Sequence, residues 1–413
     1  MTDPQWLSSS DAAEMLGVKV QTIYAYVSRG LLHSHPVPGR RASRFAADEV
    51  RRLAARSGRP QELEVVVDSP LTLLDPSGGL WFRGWEARSA CTTAPYEAIA
   101  EWLWNSSPAP ALPWAAPAEA IAVGSSAQQS LPRWATPVDR MRVAVAATAC
   151  TDPLRQDRRP ASVVATGRSL IATLVDSLPL VGSSAMVELK IGGVAYPSSI
   201  ASRLWPRVAL QVCRPESLTV LNAALGLLAD HELAASTLAA RVAASAWADP
   251  YLVVLTGLGV VGGVLHGASS EQIRTLLRRV EGGEAAAWVV GEELAAGTGL
   301  PGFGHRVYEG ADPRAAVLLE LIGGVWPDSA SWRAANEVLA IAADREMPAP
   351  NVDFALGVLA NCASMIPGGA EAVFATARSA GWIAHAIEEY PYRLRFRPRA
   401  VYTGPAPGAV PGP

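Results

Sequence analysis

Apolar residues recur along most of this chain three and four positions apart, the spacing of a helix with one buried face, and seldom alternate as in a strand. The clearest helical runs cover residues 137–149, 162–177, 217–229, 232–246, 271–280 and 370–389, with a shorter one at 95–104. Pro or Gly punctuates them, and such residues start or stop helices. Residues 63–67 form a short β-branched run, and strand-like alternation is scarce after residue 70. Residues 107–117 are rich in Pro and Ala and read as a surface loop. No internal repeat is evident. The pattern predicts an all-α body.

Ahead of that body lie two short helices around a glycine turn. Ser8-Ser9-Ser10-Asp11 offers N-caps for a helix through Ala12, Ala13 and Leu16, which Gly17 closes. Residues 20–29 read as a second helix, with Val20, Ile23, Tyr24 and Val27 on one face and Gly30 at its end. Gly39-Arg40-Arg41-Ala42-Ser43-Arg44-Phe45 reads as a basic wing, and residues 47–57 as a third helix. This segment resembles the small MerR/excisionase-type helix-turn-helix. The resemblance implies that Gln21, Thr22, Tyr26 and Arg29 project from a recognition helix, and that Arg40, Arg41 and Arg44 could meet phosphates.

Charge supports a division at this point. Residues 1–60 hold nine Lys and Arg against five Asp and Glu, while the whole chain has a net charge of −3. A basic head on an acidic body suggests two modules with different partners. With 413 residues, half of them hydrophobic and 18% charged, the chain can bury a large core and does not read as disordered. Its longest apolar run, 251–265, contains Thr and several Gly and is too short for a membrane span. The polar start predicts no signal peptide and a cytoplasmic protein. Cys91, Cys150, Cys213 and Cys362 are far apart, which predicts buried free thiols rather than disulfides or a metal site.

Candidate chemistry centres on Leu300-Pro301-Gly302-Phe303-Gly304-His305-Arg306-Val307-Tyr308 and the following Asp312-Pro313-Arg314. One Pro and two Gly make a tight turn that no helix interior would tolerate, and it holds a His and an Arg. The six histidines show no metal-ligand spacing. Scattered histidines and arginines instead suit acid–base and carboxylate-binding work, with distant segments converging on one pocket. Further blocks are Asp230-His231-Glu232-Leu233-Ala234-Ala235-Ser236-Thr237, Leu265-His266-Gly267-Ala268-Ser269-Ser270-Glu271, Asn351-Val352-Asp353-Phe354 and Arg397-Pro398-Arg399-Ala400-Val401-Tyr402-Thr403-Gly404.

Taken in order, these blocks resemble the signature segments of the citrate synthase family over most of residues 64–404. The resemblance implies a homodimeric, all-helical body with a large domain (64–266 plus 372–413) and a small one (267–371), added to a head of residues 1–60. It makes residues 71–84 an opening hairpin. It assigns Asp353 as the base, His266 to the enolate, and His305 to the acceptor carbonyl. His231, Arg314, Arg378 and Arg397 would bind the acceptor, Arg397 arriving from the other subunit. Pro301, Gly302, Phe303, Gly304 and Arg306 would help hold CoA. The implied reaction joins acetyl-CoA to oxaloacetate, giving citrate and CoA with no cofactor. The alternatives are propionyl-CoA giving 2-methylcitrate, and a DNA-binding metabolite sensor on the same fold. DNA is the less favoured partner of the head, and no membrane partner is expected.

Readings of single residues complete the picture. His385 lies on an apolar helix face and reads as structural. Arg274 and Arg306 read as solvated charges or phosphate-side contacts, and Arg83 as one half of an ion pair. Ser269 and Ser270 stand where the family commonly has Ala and Asn, a change beside His266.

Overall fold

A computed structural model describes residues 6–28, 32–37, 43–56, 65–107, 113–183, 185, 187–263, 269–297 and 299–398. They fall into two compact units, one made of the residues up to Asp68 together with Pro398 and the other spanning Ser69–Arg397.

In the first unit, Ser8 caps the helix Ser9–Leu16 through a reciprocal pair with Asp11, and Gly17 ends it in the left-handed conformation at φ 61°. A three-stranded antiparallel sheet, unforeseen from the sequence, places Ser43–Ala46 between Trp6–Ser8 and His35–Pro36. The second helix, Val20–Ser28, turns a different face inward from the one its pattern predicts. Ile23 is fully buried, and Tyr26 and Val27 pack beside it on the core of Ala12, Leu16, Leu32, Phe45 and Val50. Positions i, i+3 and i+4 make that stripe, leaving Val20 and Tyr24 exposed at 38% and 52%. Tyr24, rather than Tyr26, therefore projects from the helix. Arg44 lays its guanidinium over the Trp6 ring, 4.3 Å from the centroid. Arg29, Gly30, Arg40 and Arg41 lie outside the described residues.

The second unit is helical, with two small antiparallel elements. Thr72–Asp75 pairs with Gly79–Phe82, which continues to Trp85–Glu86, so the expected hairpin is present. A second hairpin, Leu189–Ile191 with Val194–Tyr196, has too few alternating residues to stand out in the sequence. Residues 65–67 of the β-branched run form no strand. Helices run close to the expected bounds at Tyr96–Asn105, Pro137–Thr148, Pro160–Asp176, Pro215–Leu228, Ser269–Glu281 and Gly369–Glu389. The run predicted from residue 232 starts instead at Ala235. Before it, the chain makes a bend in which Glu232 takes φ +53° and His231 bridges to Leu233.

The 21-residue helix Gly369–Glu389 is the axis of this unit, buried along nearly its whole length. Gly257, on the helix Pro250–Val261, sits where a Cβ would lie 2.5 Å from the Trp382 ring, so only glycine lets the two helices meet there. The four cysteines are free, but only Cys91 and Cys362 are buried. Cys150 is exposed and Cys213 partly covered, a correction to the expectation of four buried thiols. Among the described residues no helix is long and apolar enough to cross a membrane.

Candidate active site

Two helix N-termini and the glycine loop build the site. Gly302 and Gly304 both take φ +81°, and a Cβ on Gly302 would meet Ile273 at 2.6 Å and Phe354 at 2.9 Å. The loop is then laced to the segment before Asp353. Gly304 N donates to Ala349 O at 2.8 Å, Asn351 N to Gly302 O at 2.8 Å, and Asn351 Nδ2 to Gly304 O at 2.9 Å. Asn351 also caps the helix Val352–Cys362 by accepting from Asp353 N at 2.9 Å. One side chain thus fixes both the loop carrying His305 and the turn carrying Asp353.

Asp312 performs the same service for the other helix, Pro313–Val325. Its carboxylate accepts from Arg314 N and Nε, both at 3.0 Å, from Arg314 Nη2 at 2.8 Å, and from Val352 N at 3.0 Å. The guanidinium of Arg314 is held as a fork and is almost fully buried. Asp312 stands in the Asp-Pro-Arg motif, yet the sequence gives it no role. Its signal was the spacing Asp-x-Arg at a helix start, where a cap also reaches a side chain two residues on.

The histidines are oriented by donors. His305 Nδ1 accepts from Val307 N at 3.0 Å and Tyr308 N at 3.3 Å, which leaves its proton on Nε2. Arg314 Nη2 lies 3.4 Å from that Nε2. His231 Nε2 is 3.1 Å from the Tyr308 hydroxyl, and the two imidazole centroids are 5.2 Å apart. Tyr308, unassigned from the sequence, is buried against both, and burial pushes its phenol up to about 12. Burial, then Arg314 and Arg378, drives His231 well below the ordinary histidine range. Burial and Arg314 lower His305 as well, against a pull from Asp312. Both rings are therefore neutral at pH 7, and His305 keeps its proton on Nε2.

Arg378 comes from the axial helix, donates Nε to Leu228 O at 2.8 Å and lies over the Phe374 ring. Burial lowers it to about 10, so it remains charged. Asp353 moves the other way. Burial raises its carboxyl to about 6, and Asp312 adds to this, while Arg314 and Arg378 oppose it. These side chains face one cavity of about 760 Å³, lined by His231, His305, Arg314, Asn351, Asp353 and Arg378 among others. Two buried cations, two neutral imidazoles and a carboxylate poised near neutrality suit a dianionic carbonyl compound meeting a carbon acid.

Not every expected residue is there. Gly304 and Arg306 reach the cavity wall. Pro301, Gly302 and Phe303 do not, and Phe303 packs on Phe354 with ring centroids 5.0 Å apart. Arg397 is exposed and lies outside the cavity. Arg274 is not a solvated charge. Fully buried, it pairs with Glu271 and donates to Met365 O and Ile366 O, tying the helix Ser269–Glu281 to the loop before the axial helix. Arg83 lies 3.9 Å from Glu388 as expected of an ion pair. His266 lies outside the described residues, as does the side chain of Ser269. Ser270 is buried and borders a small space next to Asp353. Among the described residues no cluster of three or more His, Cys, Asp or Glu could hold a metal.

Residues 61–399 match the family described as "Citrate synthase, C-terminal domain". The chain belongs to the citrate synthase family. Residues 6–58 match a helix-turn-helix domain. Curated relatives include citrate synthase 2 of Bacillus subtilis, 34% identical over 194 residues, which are 46% of this chain and 52% of that one. Another is the citrate synthase of Haloferax volcanii, 35% identical over 186 residues (44% and 49%). In these alignments the chain spans about half the length of the curated relatives it matches. The solved citrate synthase of Thermotoga maritima covers more, at 25% identity and TM-score 0.67, over 84% of this chain and 96% of that one. The citrate synthase of Thermoplasma acidophilum, solved as a ternary complex with carboxymethyl coenzyme A and oxaloacetate, shares the fold at 24% identity and TM-score 0.68, over 84% and 95%.

Proposed function

We propose that this protein condenses an acyl-CoA with oxaloacetate. The observation that carries the reading is the convergence of Asp353, His231, His305, Arg314 and Arg378 on one cavity. The two arginines would clamp the acceptor's carboxylates, and the imidazoles would donate to its ketone oxygen. Asp353 takes a proton from the carbon next to the thioester carbonyl. The resulting enol or enolate, with His266 as its donor, attacks the ketone carbon and forms the carbon–carbon bond. His305 protonates the new alkoxide, and water then cleaves the thioester, freeing CoA and a tricarboxylate. Acetyl-CoA giving citrate is the leading pair and propionyl-CoA giving 2-methylcitrate the runner-up, because one methylene changes binding by only ~1–3 kcal/mol. Closing residues 267–371 on residues 64–266 plus 372–413 would exclude water until condensation is complete, in a cytoplasmic homodimer. The Thermoplasma complex supports this substrate pair by analogy of fold.

The test is free-thiol release from acetyl-CoA or propionyl-CoA, with and without oxaloacetate. Release that needs both substrates is expected, and the ratio of kcat/KM values names the acyl group. No oxaloacetate-dependent release with either thioester removes the reading.

The helix-turn-helix match supports a second role, a DNA contact made by the head. On that reading, binding to mixed-sequence duplex falls as salt rises, with a log–log slope of about −0.9 per phosphate contact. Deleting residues 1–60 abolishes the binding and leaves thiol release intact, since every proposed catalytic residue follows residue 230. No salt-sensitive gel shift at micromolar protein leaves the head a packing or assembly element.

A further inference from the structure

Beneath His231 lies a buried charge network that the condensation itself does not call on. Asp230, fully buried, does not line the cavity. Its Oδ2 accepts from the Thr72 hydroxyl at 2.5 Å and from Glu232 N at 3.2 Å. Those bonds close the bend in which Glu232 takes a left-handed φ, and His231 sits at its centre. On the other side, His385 Nε2 lies 3.3 Å from Asp230 Oδ1. His385 Nδ1 is 2.7 Å from Arg241 Nη1. A guanidinium can only donate, so Nδ1 accepts and the imidazole proton is on Nε2, facing the carboxylate. Arg241, itself buried, is held by Glu388 and Glu389, each at 3.0 Å. There is no slack in this packing. A Cβ on Gly381 would stand 2.4 Å from Asp230 Oδ1 and 2.5 Å from Ala229 O.

We propose that the buried Asp230–His385 pair, backed by Arg241, is a positioning device that holds the His231 imidazole toward the acceptor. The proposal rests on the condensation reading only for the identity of the acceptor. Charge and position make opposite predictions here. Asp230 is close enough to Arg378 to favour its charged form. As a mere charge, Asp230 would oppose a dianionic acceptor, and removing it would tighten binding. As the anchor of the bend, its loss loosens His231 and weakens binding.

The experiment compares full-length wild type with His385→Gln, His385→Leu and Asp230→Asn. Glutamine can still donate to Asp230 and accept from Arg241, whereas leucine does neither. The readouts are oxaloacetate KM against kcat, and the His231 imidazole resonance in histidine-labelled protein, assigned by its loss in His231→Asn. His385→Leu is expected to raise KM about tenfold, the scale of one lost hydrogen bond, with kcat much less changed, and to move the resonance. His385→Gln restores both, and Asp230→Asn raises KM. A folded His385→Leu protein with wild-type KM and resonance overturns the proposal. So does a lowered or unchanged KM in Asp230→Asn, which decides the matter if the leucine variant does not fold. Wild type without oxaloacetate-dependent turnover would remove the substrate reading alone. The His231 resonance would then still judge the positioning.

Discussion

Asp353→Asn is expected to lower turnover at least ~10²-fold, the scale of a positioned general base, with little change in oxaloacetate affinity. An amide keeps the shape at the helix start and the backbone bond to Asn351, but it cannot take a proton. Turnover within a few-fold of wild type would remove Asp353 as the base. Stability gives an independent check. The carboxyl titrates near 6 in the folded chain against an ordinary 3.8. A folded pKa above the unfolded one means that this group's contribution is fully present below about 4 and is lost as pH rises through about 6. At neutral pH the ionised side chain therefore costs the fold ~3 kcal/mol. The Asp353→Asn protein should melt no lower than wild type above pH 6. Loss of activity together with a lower melting temperature would point to damage at the helix start instead. In wild type, kcat/KM should fall as pH drops below about 6, where the base becomes protonated.

Mixing two inactive proteins is expected to restore activity. Arg397 is exposed and away from the cavity of its own chain. If a second copy uses it, a heterodimer of Arg397→Leu and Asp353→Asn subunits has one site with an intact base and an intact arginine. Random pairing of equal amounts forms half heterodimers with one good site each, so about a quarter of wild-type activity should return. Heterodimers isolated with two affinity tags that show no thiol release would mean that Arg397 does not act across the dimer.

The elements that a sequence announces are those whose periodicity is long. The axial helix Gly369–Glu389 was legible because buried residues recur over 21 positions. The 189–196 hairpin was not, because three-residue strands carry no measurable alternation. The recognition-type helix was placed but rotated, since Tyr24 and Tyr26 are alike in hydropathy and only packing chooses between them. The site residues that touch the cavity lay in recognisable blocks, except Arg378. Asp312, Tyr308 and Asp230 stood in the same blocks, but their roles come from partners 40, 77 and 158 residues away. Apart from the Asp-x-Arg spacing at Asp312, no local pattern encodes such a pairing. Arg274 shows the opposite error, for a guanidinium next to surface-type residues looks solvated until four backbone and side-chain acceptors enclose it.

The carboxylate of Asp312 bonds both to Arg314 and to the backbone of Val352, and Asn351 bonds to the loop that bears His305. His305, Arg314 and Asp353 thereby form one block, while His231 and Arg378 belong to another, joined through Leu228 and the axial helix. Movement of one block against the other would change none of the distances within either. On the proposed reaction, such a movement would change the gap between the two arginines and the His231–Tyr308 contact, and a dicarboxylate spanning that gap would draw them together as a strap. The acceptor would then be the first substrate to bind, since the base reaches its working distance only once the strap is in place.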